Sequence, residues 1–90
     1  MKTDIDLVVE ARIRAHLRQQ MQDREIHQTE LARIAGIDNG NIKRILSGER
    51  GAGLGVVLRI CDALKITPTR LLEQDPPDEF FRPGDKREHG

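Results

Sequence analysis

An all-α domain of five helices, with an extended first helix and a short C-terminal tail, is the fold class this sequence predicts. Three observations carry it. Apolar residues recur at helical spacing in separate segments, each bounded by capping or stop residues. The core must be aliphatic, because 37% of the residues are hydrophobic but only 2% are aromatic, and such cores usually come from packed helices. No segment reads as a strand. Ninety residues suffice for one core and are too few for two.

The first helix is predicted over 4–23, a stretch without Pro or Gly in which Ile5, Val9, Ile13, Leu17 and Met21 recur every four residues. Glu10, Arg12, Arg14 and Arg18 fall on its wetter side, and Asp23-Arg24-Glu25 ends it. The second helix runs from Gln28 to Ala35, with His27 as its cap and Glu30 at the third position of a partial capping box. Leu31, Ala32 and Ile34 form its inward side, and Gly36 supplies the left-handed stop.

Asp38 caps the third helix, where its charge also suits the positive helix end. Ile42, Ile45 and Leu46 are its buried face, and Gly48 stops it. The fourth helix spans 54–64, with Leu54, Val57, Leu58, Cys61 and Leu64 as a buried stripe. Thr67-Pro68 starts the fifth, threonine as cap and proline at the first helical position, and Leu71 and Leu72 dock it. From Asp75 the chain changes character, with Pro76, Pro77, Pro83 and mixed charges. Residues 1–74 therefore form the predicted domain, and 75–90 a flexible acidic tail with Phe80-Phe81 as its one anchor.

Charge and cysteine usage narrow the function classes. The formal net charge is zero, which argues against a protein that coats nucleic acid indiscriminately. That zero hides a slightly basic body, 12 basic against 10 acidic side chains over 1–74, and an acidic tail with 3 against 5. The single cysteine, Cys61, can form no internal disulfide and no zinc site alone, and reads as a small buried hydrophobe. His16, His27 and His89 share no ligand-like spacing. His16 reads as solvent-facing and His89 lies in the tail, so neither a metal nor a cofactor is expected. No apolar run is long enough to cross a membrane, and the N-terminus lacks the apolar stretch of a signal peptide, so the expected location is cytoplasmic. No nucleophile sits with a base and no cofactor motif occurs, so an enzyme is not expected. The glycines at 51, 53 and 55 lack the strand and the Lys-Ser/Thr ending of a nucleotide loop.

The second and third helices, joined by Gly36-Ile37-Asp38, match a helix-turn-helix over 28–46. The run QTELARIAGIDNGNIKRILSGERGAGLGVVLRICDALKITPTRLL resembles the lambda-repressor-like, XRE-type (Cro-like) helix-turn-helix family. Gln28, Leu31-Ala32, Gly36, Ile42, Ser47-Gly48, LRICDALKI and TPTRLL carry that likeness, and it extends over about residues 13 to 73. The resemblance implies that the third helix, 38–46, enters the major groove of double-stranded DNA. Asn39, Gly40, Lys43 and Arg44 would then face the bases. A guanidinium can bond both acceptors on a guanine edge, and an asparagine can pair with adenine. Gln28 and Thr29 at the start of the second helix, Asn41, and Arg50 in the following loop would face phosphates. Local capping is the plainer role for Asn39 and Asn41, and a solvated helix face the plainer role for Lys43 and Arg44.

Many members pair an arginine of the first helix with a glutamate ending the third. Met21 and Leu46 occupy those positions here, an apolar contact in place of an ion pair. The resemblance implies a sequence-specific transcriptional regulator, a repressor acting as a homodimer on a palindromic operator. Ile5, Val8, Val9 and Leu72 are the candidate dimer contacts, with the chain's own Phe80 and Phe81 as the alternative cover for the first three. Two other functions stay open. One is an antitoxin that also binds a toxin, and the other is a protein-interaction module that has lost DNA binding.

Overall fold

The computed structural model describes residues 3–85. Five α-helices follow one another: α1 (Asp4–Arg24), α2 (Gln28–Ala35), α3 (Asn39–Ser47), α4 (Leu54–Leu64) and α5 (Pro68–Glu73), then a 3₁₀ turn at Asp78–Phe80. No strand occurs among the described residues. α2 packs on α3 and α4, while α1 lies across α3, α5 and the 3₁₀ turn. Leu17, Leu31, Ile42, Ile45, Ile60, Leu64 and Leu71 fill the centre, each almost completely buried. His89 and the rest of 86–90 lie outside the described residues.

The helix starts follow local chemistry. Thr3 and Asp6 form a full capping box at α1, a signal the sequence reading passed over. Asp38 accepts from the Asn41 N–H and Thr67 from the Arg70 N–H, as expected. His27 does cap α2, accepting from the Thr29 N–H through Nδ1. Glu30 does not complete that box. It turns outward and pairs with Arg33, one turn on.

Three helices end in one motif. Glu25, Gly36 and Lys65 take left-handed φ values of 54°, 68° and 57°. In each case the next residue is an isoleucine whose N–H bonds a carbonyl five positions back. The pairs are Ile26 to Met21, Ile37 to Ala32 and Ile66 to Cys61, at 2.9–3.0 Å. All three isoleucines pack on the core, the apolar contact that accompanies this type of helix stop. Only Gly36 makes the turn without a Cβ penalty; Glu25 and Lys65 each bear a cost of about 1 kcal/mol or more.

Further expectations need correction. Leu54 and Leu58 are 71% and 46% exposed; the buried stripe of α4 is Val57, Ile60, Cys61 and Leu64. Ile34 is also exposed, leaving Leu31, Ala32 and Ala35 as the inward side of α2. His16 is buried rather than solvent-facing, its Nε2–H directed at the Gln74 carbonyl. The segment from Pro76 to Asp85, expected to be flexible, folds back along α1 with Phe80 buried. A radius of gyration of 12.1 Å fits a chain with this segment gathered in rather than extended.

The arginines of α1 have an unanticipated role. The last carbonyls of a helix have no partner within it and attract cations. Arg18 Nη2 donates to the Leu46 carbonyl of α3 at 2.8 Å. Arg12 Nη1 reaches the Leu72 carbonyl of α5 at 2.7 Å, and Arg24 Nη2 reaches the Leu64 carbonyl of α4. One helix thus supplies a cation to the C-terminal ends of three others.

Candidate nucleic-acid interface

α3 has two unlike sides. Ile42 and Ile45 are buried at 0% and 2% exposure and fix the helix to the core, with Leu46 packed at the edge. Asn39, Lys43 and Arg44 are exposed on the other side. That division follows from the 3.6-residue period, which turns positions 43 and 44 about 100° or more away from both 42 and 45; Asn39 is exposed because it stands in the first turn, at the open helix end. The N-terminal end of α3 is open and held by Asp38, whose carboxylate bonds the Asn41 N–H at 3.2 Å.

Gly40 leaves room for its neighbours. A Cβ added there would lie 3.0 Å from Asp38 Oδ2 and 3.7 Å from Arg44 Nη1. The Arg44 side chain therefore runs back over Gly40 toward the start of the helix. A Cβ at 40 would press on the Asp38 carboxylate and meet Arg44 only at ordinary contact distance.

Asn41 and Arg50 are brought together, Arg50 Nη1 donating to Asn41 Oδ1 at 3.0 Å. The Arg50 N–H also bonds the Arg44 carbonyl at 3.2 Å, so the loop after α3 is tied to the helix that precedes it. Gln28 and Thr29 sit at the first turn of α2, where backbone N–H groups point outward. The Thr29 N–H is partly engaged by His27.

Candidate dimer contacts divide. Val8 is 8% exposed and Val9 packs against the core, so both are used inside the monomer. Ile5 and Leu72 remain 56% and 39% exposed. Ile5 lies two helical turns before Arg12, whose guanidinium bonds the Leu72 carbonyl.

Met21 and Leu46 are both partly buried against the core. Arg18 serves the end of α3 through the Leu46 carbonyl. Arg18 Nη1 also donates to the Phe80 carbonyl at 2.9 Å and pairs with Asp85 at 3.1 Å. Arg14 pairs with the other Asp85 oxygen at 2.6 Å. Burial works against the Asp85 charge, but bonds from Arg14, the Arg82 N–H and Arg18 outweigh it and hold its carboxyl below the ordinary value. Burial correspondingly lowers the Arg18 pKa, with Asp85 opposing. Sequence reading missed this cluster. The spacing of Glu10, Arg14 and Arg18 was visible as a helical row, but nothing local announced that it faces protein instead of water.

No group of three or more His, Cys, Asp or Glu that could hold a metal occurs among the described residues, and none of their helices is long and apolar enough to cross a membrane. A family model described as a Cro/C1-type HTH DNA-binding domain matches residues 16–77. No curated protein and no solved structure matches the chain.

Proposed function

Because the chain belongs to the Cro/C1-type helix-turn-helix DNA-binding family, we propose that this DNA-binding regulator is a sequence-specific repressor that reads the major groove with α3. The observation that carries the reading is the pairing of a rigidly anchored apolar side, Ile42 and Ile45, with the exposed Asn39, Lys43 and Arg44. Arg44 is the chief base reader, through the two acceptors of a guanine edge, and Asn39 reads adenine. Lys43 contacts guanine or phosphate. Gln28 and Thr29 at the α2 start, with the Asn41–Arg50 pair, grip the backbone on either side. The chain acts as a homodimer joined across Ile5 and Leu72, which sets two α3 helices about one DNA turn apart on a palindromic site. Repression follows from occupying that site.

Selection from random duplexes at fixed salt tests this. The wild-type protein should enrich a palindrome, and Arg44→Ala should weaken binding to it by about 1–3 kcal/mol while relaxing preference at one position per half-site. Lys43→Ala/Arg44→Ala should abolish selection. Enrichment that survives unchanged in the double variant would remove α3 as the reader, and featureless output from wild type would remove sequence-specific reading altogether.

A further inference from the structure

The end of α3 is built differently from the ends of α1, α2 and α4. Where those close on a core-packed isoleucine, α3 closes on Gly48-Glu49, with Gly48 at φ 85° and no apolar residue to follow. Beside the local bonds from the Gly48 N–H to Ile45 and the Arg50 N–H to Arg44, it is held from outside by α1. Glu10, Arg14 and Arg18 stand four residues apart on α1 and meet successive points of the corner between α3 and α4. Arg18 bonds the Leu46 carbonyl. The Arg14 guanidinium lies against Gly48, 3.5 Å from where a Cβ would stand. The Glu10 carboxylate lies so close over Gly51 that a Cβ there would come within 2.6 Å of its Oε1.

Asp85 fastens this row. Its two oxygens engage Arg14 and Arg18, its side chain is 6% exposed, and the Arg82 N–H completes its bonding at 2.8 Å. A guanidinium on a flexible stem loses less freedom in reaching a carbonyl when an acceptor already fixes its plane. Glu10, Arg14 and Asp85 all lie outside residues 16–77, the part matched by the family. Glu10 and Arg14 meet the corner that carries Arg50, and Asp85 holds Arg14 there.

We infer that Asp85 is a positioning residue for DNA binding, acting through Arg14 and Arg18 on the end of α3 and the loop from Gly48 to Gly53. The inference rests on the proposed reading of DNA by α3. It makes the C-terminal segment part of the recognition apparatus without any contact of its own to DNA.

Asp85→Asn keeps the shape and removes the charge that fixes both arginines. In the full chain, this variant should bind the selected operator about three- to tenfold more weakly, the range expected of a residue coupled to a site it does not touch. The salt dependence of affinity should not change, because no phosphate contact is lost. Amide exchange at Ser47–Ala52 should quicken in the absence of DNA, and Asp85→Glu should recover part of both effects. Melting curves give the folded fraction at the assay temperature. Should Asp85→Asn fail to fold, Asp85→Glu, which moves the carboxylate by one methylene, carries the same two comparisons against wild type.

Unchanged affinity and unchanged exchange at matched folded fraction would overturn the inference. So would tighter binding with a steeper salt dependence, which would mean that Arg14 and Arg18 had been released onto phosphates. If wild type selects no DNA, the proposed function fails on that result. Exchange at Ser47–Ala52 then decides separately whether Asp85 holds the corner.

Discussion

Acidification should destabilise this domain through His16. The imidazole is 3% exposed, its Nε2–H is directed at the Gln74 carbonyl, and its Nδ1 is buried without a partner. Protonation would place a second N–H at Nδ1, with nothing to accept it, in a region that already holds Arg70 and Arg12. Burial and those two cations lower the His16 pKa from 6.5, and the Gln74 carbonyl and Asp75 oppose them without reversing the direction. The unfolded chain therefore binds this proton more readily. Stability from neutral His16 is fully present above pH 6.5 and is lost as the pH falls through that value. The slope cannot exceed about 1.36 kcal/mol per pH unit. Between pH 7.5 and 5.5 the loss therefore approaches, at most, about 1.4 kcal/mol, or roughly 6–11 °C in Tm for a domain of this size. Asp85, whose folded pKa is lowered from 3.8, contributes stability that is lost only in more acidic solution, outside this window. The melts are best followed by circular dichroism in a His27→Ser background, in which His16 is the one histidine among residues 3–85 and serine can keep the α2 cap. His16→Leu should flatten the pH dependence in that background. Parallel slopes with and without His16 would refute the reasoning.

Two further outcomes follow from the geometry. Gly48→Ala should cost about 1–2 kcal/mol in denaturant unfolding, because φ is 85° while the space for a Cβ is ordinary, 3.5 Å from Arg14. Phe80→Ala should cost about 3 kcal/mol in the same assay, as expected for emptying a 6% exposed aromatic site; a change under about 0.5 kcal/mol would show that the segment contributes nothing to the core.

Features that depend on neighbours in sequence were legible. Asp38, Thr67-Pro68, Gly36 and Gly48 act on backbone groups a few residues away, so their roles and the positions of α2, α3 and α5 could be read from the chain. The inward side of α3 was equally plain, because Ile42 and Ile45 flank two charged residues. The width of a buried stripe was harder to judge. Leu54 and Leu58 sit at the edge of the α4 repeat, and only the packing of α2 shows that the protein stops short of them. Arg12, Arg14, Arg18 and His16 were misread for one shared reason. Each finds its acceptor on a residue from 28 to 71 positions away in sequence, at Leu46, Leu72, Gln74, Phe80 or Asp85. Charge on a helix then looks like solvation until the opposing carbonyl is known. In the segment after Asp75 the Phe80-Phe81 pair was legible as an anchor, but Asp85 was hidden in the same manner, since its arginine partners lie 67 and 71 positions away.

The isoleucine stops bear on how the domain comes into being. A glycine ends a helix wherever the chain happens to be, but Ile26, Ile37 and Ile66 end theirs by entering a core assembled from distant segments. Before that core exists, Glu25 and Lys65 have little reason to leave ordinary helical dihedrals, and short helices gain little alone. The lengths of α1 and α4 are thus decided at the moment of collapse and lost together with it. Such a chain should assemble in a single cooperative step, as small domains usually do. DNA would then encounter either a folded domain or an unfolded chain, with no partly formed intermediate between them.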